Sequence, residues 1–252
     1  MGGAKGRHGR LILSSPTHPA FLWGYLLVGL AVALLFSRFP FLVASSSQAP
    51  LALPLSTIAV MLIVLSPPLS FVNVELARVK TGESVTALGI DYVEFFGIPI
   101  PIPKVVTMEL STIVAINVGG AIVPIAASAI FAYLLLLSAY RQPFLYAVIA
   151  DVVVTSAVVY FLARPIPGVG IVVPAFIAPL VAAFVASVTA GFGVAGAAAA
   201  YVGGSIGSLL GADVLRLSRS IRELKAPMLS IGGAGVFDGV FLSGVLAFVL
   251  TI

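Results

Sequence analysis

The chain has 252 residues, of which 60% are hydrophobic and only 9% are charged. Soluble domains carry about a quarter charged residues, and disordered chains are rich in charge and poor in apolar residues, so both classes are excluded. The lack of Cys rules out disulfides and thiol chemistry. The 13 Lys and Arg only slightly outnumber the 9 Asp and Glu, which does not indicate a nucleic-acid partner. Composition therefore predicts a multi-pass membrane protein whose main partner is the lipid bilayer.

Seven apolar stretches are long enough to cross a bilayer, since a spanning helix needs about 20 mostly apolar residues. They cover residues 20–36, 51–72, 118–140, 144–162, 169–189, 195–215 and 231–252. No small-residue cleavage site follows the first stretch, so we expect a retained span and not a signal peptide. The predicted fold is an all-α polytopic bundle of about seven transmembrane helices. Residues 1–19 form a basic cytoplasmic tail, and residues 20–252 form one transmembrane domain.

The placement of Lys and Arg predicts the orientation, because these residues are retained on the cytoplasmic side. With a cytoplasmic N-terminus, only Arg38 and Arg141 fall outside. The cations that fall inside are Lys5, Arg7, Arg10, Arg78, Lys80, Lys104, Arg164, Arg216, Arg219, Arg222 and Lys225. We therefore expect a multi-pass protein of the cell membrane with its N-terminus cytoplasmic and its C-terminus external.

The segment between the second and third spans does not read as helix. Ile and Pro alternate over residues 98–103, and Pro both lacks the backbone donor and holds the preceding residue extended. Residues 91–95 and 105–110 have strand character. We expect a small cytoplasmic β-hairpin at about residues 88–112, which serves either as a connector or as a docking strand for an extended partner.

Small residues mark the helices that should pack closely or break. Gly203, Gly207 and Gly211 recur every four residues and predict a packing face on the sixth span. Gly and Pro interrupt the third and fifth spans, where Asn117 stands before one break and Pro174 lies in the other. Paired broken helices favour a binding site in a transporter, whereas the alternative is that Asn117 caps a helix and the prolines kink it.

Three acidic residues fall within the predicted spans. Asp151 lies near the middle of the fourth, Asp213 closes the sixth, and Asp238 lies near the start of the seventh between Gly235 and Gly239. An ionisable side chain in a span costs several kcal/mol unless it faces water or a partner, so each acid is a candidate functional residue.

Asp213 and Asp238 are predicted to meet, because a helical hairpin joins them. Two carboxylates that share a site retain one proton between them and can activate a water for peptide hydrolysis. Gly235 and Gly239 would let a substrate backbone approach. The structural alternative is an ion pair between Asp213 and a nearby Arg, with Asp238 at a helix N-terminus.

Asp151 favours a different function, since a single mid-span carboxylate is typical of ion or proton movement. We take Asp151, Asn117, Pro174 and the two glycines that flank Asp238 as candidate substrate-binding residues. Two isolated His do not make a metal site, and no cofactor motif is present, so we expect neither a metal nor a cofactor.

Four ordered blocks of the sequence carry a family resemblance. They are Asn117 with residues 118–124, residues 163–171 with 174–177, residues 211–215 and residues 230–242. The blocks resemble those of a prokaryotic membrane family known only as domain of unknown function 1614. The resemblance covers roughly residues 50–252 and implies no activity.

A looser similarity links the paired aspartates to presenilin-like intramembrane aspartyl proteases, which carry Gly-x-Gly-Asp at the second aspartate. Here the sequence reads Gly235-Val236-Phe237-Asp238, with Phe in place of the second Gly. The similarity implies a membrane aspartyl endopeptidase, with Asp213 and Asp238 as catalytic residues and a membrane-embedded peptide as substrate. The alternatives are a transporter or channel-like protein with a midplane site at Asp151, and a noncatalytic scaffold that recruits partners through the hairpin.

Overall fold

The computed structural model of the chain describes residues 9–13, 30, 49–221, 223–224, 226–233 and 239–251. Apart from Leu30, the first predicted span lies outside the described residues, as do most of the N-terminal tail, Gly235 and Asp238.

Helices make up most of the described chain. They are α1 (Ala49–Leu69), α2 (Val123–Leu136), α3 (Arg141–Leu162), α4 (Ile177–Ala190), α5 (Val194–Ser208), α6 (Leu217–Ser220) and α7 (Gly239–Thr251). Two segments are π-helical. Val118–Ile122 leads into α2, and Leu209–Arg216 continues α5 into α6.

Within the described residues, three helical stretches are long and apolar enough to cross a bilayer. They are Val118–Leu136, Arg141–Leu162 and Val194–Ser220, and two further apolar helices, α4 and α7, are shorter. A membrane protein is thus supported, but the predicted count of seven spans is not confirmed. The fifth predicted span differs most, because its first half is a strand and loop and the helix begins only at Ile177. Gly and Pro in that half are poor helix formers, which explains the late start.

α5 is the central helix of the bundle. All its residues except Ile206 are buried, and it contacts α2, α3, α4 and α7. Of its 15 residues, 11 are Ala, Gly or Ser, and such small side chains allow neighbouring helices to approach closely. The neighbouring helices contribute large side chains to the contacts. The ring of Phe131 in α2, for example, lies 4.9 Å from the ring of Tyr201 in α5, centroid to centroid.

Large apolar side chains cover the outside of the bundle. Leu180, Phe184 and Val188 form one face of α4, and each is more than half exposed. On α3, Ile149 and Val153 are exposed in the same way, while the charged Asp151 between them is fully buried. This arrangement is expected where lipid surrounds the helices and ionisable groups must face the interior.

The strands of the described residues are β1 (Leu11–Leu13), β2 (Val72–Phe95), β3 (Ile98–Asn117), β4 (Arg164–Ile166), β5 (Gly170–Val172) and β6 (Met228–Ile231). They form two sheets. The first has the order β1–β2–β3–β6, and the second pairs β4 with β5. β2 and β3 are antiparallel, whereas β6 is parallel to the end of β3. The all-α description is therefore confirmed only in part.

The predicted hairpin is present but is much longer than residues 88–112. β2 and β3 form a two-stranded ribbon that reverses at Phe96 and Gly97, both with positive φ, as two-residue hairpin turns require. Two register shifts, between Glu75 and Ala77 and between Lys80 and Ser84, disturb the alternation of side chains. The sequence pattern therefore missed the half of the ribbon nearest the helices.

The two edges of the ribbon differ chemically in its outer half. In an antiparallel pair, the N–H and C=O groups of one residue point to the same edge of its strand. The three prolines of β3 have no N–H, and they occupy the positions whose backbone groups point away from β2. They are Pro99, Pro101 and Pro103, paired with Glu94, Tyr92 and Ile90. The outer edge of β3 thus lacks donors there, while the β2 residues opposite point N–H and C=O groups outward. No described strand lies beside that part of β2.

A cross-strand ion pair adds to the ribbon in the same region. The Lys104 Nζ donates to Asp91 Oδ2 at 2.7 Å, and this hydrogen bond holds the pKa of the Asp91 carboxyl below its usual value. Both side chains are at least half exposed, so the pair adds little stability. It does neutralise two charges on one face of the ribbon.

Candidate functional site

Asp213 lies in the second π-helical segment, Leu209–Arg216. π-helical turns are rare and occur frequently at functional sites. The carboxylate is fixed from outside its own helix, because its Oδ2 accepts a hydrogen bond of 2.7 Å from the backbone N–H of Gly232. Gly232 and Gly233 both have positive φ, which Gly adopts without steric cost. This turn after β6 directs the amide toward Asp213.

A cavity of about 400 Å³ opens beside Asp213. Its walls are largely apolar, and the polar side chains that the described residues contribute are those of Asp213, Ser208 and Ser243. Pro174 and Gly239 also line it, so the structure brings three of the predicted site residues, Asp213, Pro174 and Gly239, to one place. The volume and the lining both suit a small-molecule or peptide side-chain site, for which 300–1,000 Å³ is the approximate range.

A second cavity of about 130 Å³ also borders Asp213. Asp213, Ile171 and Gly233 line both cavities. A water molecule takes about 30 Å³ of liquid, so the smaller cavity has room for a few waters. Asp213 therefore borders both a mostly apolar cavity and a smaller one with room for a few waters.

The second aspartate of the predicted pair, Asp238, is located only through the residue that follows it, Gly239. Asp238 and Gly235 lie outside the described residues, so their placement stays a prediction. Gly239, the residue after Asp238, lines the larger cavity together with Asp213. The structural alternative is an ion pair between Asp213 and a nearby Arg. The ion pairs of the described residues do not include it.

Asn117 lies apart from the cavity, in a buried polar network. Its Nδ2 donates to Ser70 O at 2.6 Å and to Asn73 Oδ1 at 3.0 Å. Its Oδ1 accepts from the backbone N–H of Gly120 at 2.7 Å and so caps the π-helical segment Val118–Ile122. The hydroxyl of Ser230 donates to the same Asn73 Oδ1 at 2.6 Å. The network thereby fixes Ser230 of β6, which lies two residues before Gly232, the residue whose amide bonds Asp213.

Replacing Asn117 by Ala should lower the free energy of unfolding by about 2 kcal/mol, because buried groups lose their hydrogen-bond partners. The measurement is thermal or denaturant unfolding of the purified protein in detergent. Ser187→Ala is the matched control, since that exposed hydroxyl bonds only Phe184 O of its own helix. Equal stability of the two variants would contradict a positioning role for Asn117.

Asp151 does not line the cavity but lies fully buried in α3. Thr155 Oγ1 donates to its Oδ1 at 2.8 Å, and its Oδ2 has no hydrogen-bond partner among the described residues. Buried hydroxyls that share that condition among the described residues include those of Ser128, Ser156 and Ser208. A buried carboxylate oxygen without a partner is costly, which makes Asp151 a separate candidate site.

The glycine ridge, which runs from α5 into the π-helical segment Leu209–Arg216, packs against the Asp151 face of α3. A Cβ on Gly203 would meet the Asp151 carboxylate, one on Gly207 would lie 2.8 Å from Thr155 Cβ, and one on Gly211 would lie 3.0 Å from Val159 Cβ. Residue numbers rise together along both helices, so α3 and α5 run parallel and end on the same side of the bundle.

Some groups at the cavity carried little signal in the sequence. Ser208 and Ser243 are ordinary small residues of apolar helices, and the Gly232 amide is a backbone group. The one available signal was the Gly232-Gly233 pair directly after a short apolar strand, which indicates a turn with positive φ. Among the described residues, no three His, Asp or Glu side chains lie close enough to hold a metal ion.

Long apolar helices with large exposed apolar side chains on their outer faces indicate a membrane protein. Residues 68–250 match the family described as a protein of unknown function, DUF1614. The chain belongs to this family. No curated protein and no solved structure matches it, and the similarity to presenilin-like proteases is not shown by these comparisons.

Proposed function

We propose that the chain is a membrane-embedded hydrolase in which Asp213 and Asp238 act on a peptide within or beside the membrane. The observation that carries the proposal is the cavity of about 400 Å³ lined by both Asp213 and Gly239, the residue next to Asp238. A carboxylate at membrane depth is costly and is retained where it has a function. The apolar helices support a membrane protein, and the family match leaves the activity open.

The proposed reaction needs two carboxyl groups, one ionised and one protonated, and a water. The carboxylate takes a proton from the water as the water oxygen attacks the peptide carbonyl, and the carboxylic acid donates its proton to the carbonyl oxygen. Breakdown of the tetrahedral intermediate transfers a proton to the leaving nitrogen and yields an amine and a carboxylic acid. The amide of Gly232 orients Asp213 for this role, and the smaller cavity beside it can hold the water.

An extended peptide suits the walls of the larger cavity. Ile171 and Val172 of β5 border it, together with Val173 and Pro174. β5 pairs with β4 on one side, and an exposed strand edge binds extended chains through main-chain hydrogen bonds. The apolar lining would take the side chains of a membrane-embedded substrate.

The test is cleavage of a fluorogenic membrane peptide by the purified protein in liposomes, with the products identified by mass spectrometry. A hydroxyl-bearing peptide isostere should inhibit far more strongly than the parent peptide, since it mimics the tetrahedral intermediate. Failure of wild-type protein to cleave a broad set of membrane peptides would reject the proposal.

A second function is favoured by Asp151, whose Oδ2 is fully buried and has no described partner. In this alternative, Asp151 forms a midplane site for a proton or a small cation in a transporter or channel-like protein. Liposomes with a proton or Na⁺ gradient should then show flux that Asp151→Asn abolishes and Asp213→Asn retains. Flux that is the same in wild type and Asp151→Asn would exclude this function.

A further inference from the structure

Two arginines converge on one tyrosine where two candidate spans end. The guanidinium carbons of Arg216 and Arg219 lie 5.7 Å and 5.3 Å from the centroid of the Tyr160 ring, within the range of cation–π attraction. Arg219 also donates a hydrogen bond to the Tyr160 hydroxyl. Tyr160 is in the last turn of α3, and both arginines are in the last turns of the parallel helix Val194–Ser220.

No ion pair among the described residues involves this cluster. Their ion pairs join Arg78 to Glu75 and Lys104 to Asp91 and involve neither Arg216 nor Arg219. The Nε of Arg216 is buried and has no hydrogen-bond partner in the described chain. A buried donor without an acceptor is unfavourable, and two cations beside one ring repel each other. Both costs disappear if an anion with several acceptor oxygens binds there.

The surroundings of the cluster indicate where such an anion comes from. The apolar side chains next to the cluster, Phe161, Val214 and Leu215, are all exposed. A ligand at this position thus meets cations and an aromatic ring at one end and bare apolar surface at the other. Phospholipids have this distribution, and Tyr and Arg are typical of the depth at which their headgroups lie.

We propose that Tyr160, Arg216 and Arg219 bind the phosphate of an anionic phospholipid, with its acyl chains against the apolar side chains beside them. Guanidinium groups match phosphate because their paired N–H groups can donate to two of its oxygens. The site is independent of hydrolysis by Asp213, and a free phosphate would offer the same headgroup chemistry without the acyl chains.

The test is native mass spectrometry of the purified protein titrated with phosphatidylglycerol or with phosphatidylcholine of the same acyl chains. We expect one phosphatidylglycerol to bind preferentially. In Arg219→Gln the half-saturating concentration should rise about tenfold, which corresponds to the loss of one charge-assisted hydrogen bond. Arg219 is exposed, so this variant should fold, and Arg216→Gln should show a similar or larger effect.

Arg164→Gln is the matched control, because Arg164 is exposed just after α3 and has no described contact with Tyr160. It should bind phosphatidylglycerol as the wild type does. Equal binding of the two lipids, or an Arg219→Gln affinity equal to that of wild type, would overturn the proposal. So would competition by inorganic phosphate at the same concentration, because that result would identify a soluble anion as the ligand.

Discussion

Asp213→Asn is expected to lower the rate of peptide cleavage by about 10²- to 10⁴-fold, the usual contribution of a general acid or base. Asn keeps the shape of the side chain and an oxygen that can accept the Gly232 N–H, so the fold should be retained. The measurement is the initial rate on a membrane peptide in liposomes, alongside thermal unfolding to verify folding. Asp238→Asn should lose activity to a similar extent, because residues that act as a unit are not additive.

Asp151→Asn serves as the control for that experiment. Asp151 belongs to the same bundle but does not line the cavity of Asp213, so its amide variant should retain cleavage. Unchanged turnover in both Asp213→Asn and Asp238→Asn would disprove the hydrolase. Loss of cleavage in all three aspartate variants would instead point to a general requirement for buried charge.

Gly203→Ala is expected to destabilise the bundle by about 3 kcal/mol, near the upper end of the cost of overpacking. The added methyl group would collide with the Asp151 carboxylate, and α3 would have to move away from the central helix. Unfolding in detergent measures the loss. Gly239→Ala is the matched control, because a Cβ there meets nothing within 4 Å, and it should leave stability nearly unchanged.

A double-mutant cycle makes this prediction specific to one contact. The three atoms nearest to the new Cβ all belong to the Asp151 carboxyl group, so Asp151→Ala removes the obstacle. The double variant should be more stable than the sum of the two single effects predicts, by about 1–2 kcal/mol. Strict additivity would show that the glycine is needed for a different reason.

Composition was enough to predict the membrane environment, because a low content of charge is a property of the whole chain. Local periodicity placed α3 and the ridge of α5 well, since both are long, uninterrupted helices. It failed at residues 169–176, where hydropathy is high but Gly and Pro favour strand and loop. Average hydropathy does not distinguish a spanning helix from a buried strand of similar composition.

The site could be predicted only in part, because a sequence gives candidate side chains and not their distances. Asp213, Pro174 and Gly239 share a cavity, whereas Asp151 and Asn117 lie in separate environments. Asn117 illustrates the difficulty, since a residue before a glycine-rich break fits both a ligand site and a helix cap. The long-range bonds to Ser70 and Asn73 could not be inferred from its neighbours in the chain.

The unequal edges of the β2–β3 ribbon limit how the protein can assemble through it. A strand that joins the Tyr92 side finds both donors and acceptors, whereas one that approaches Pro101 finds no donor on the outer edge. If two copies joined through their β2 edges, both remaining outer edges would be proline-bearing β3 strands. Growth by strand addition would then end at two molecules. Under that condition, the long, exposed and apolar ribbon would produce a closed pair and not a filament.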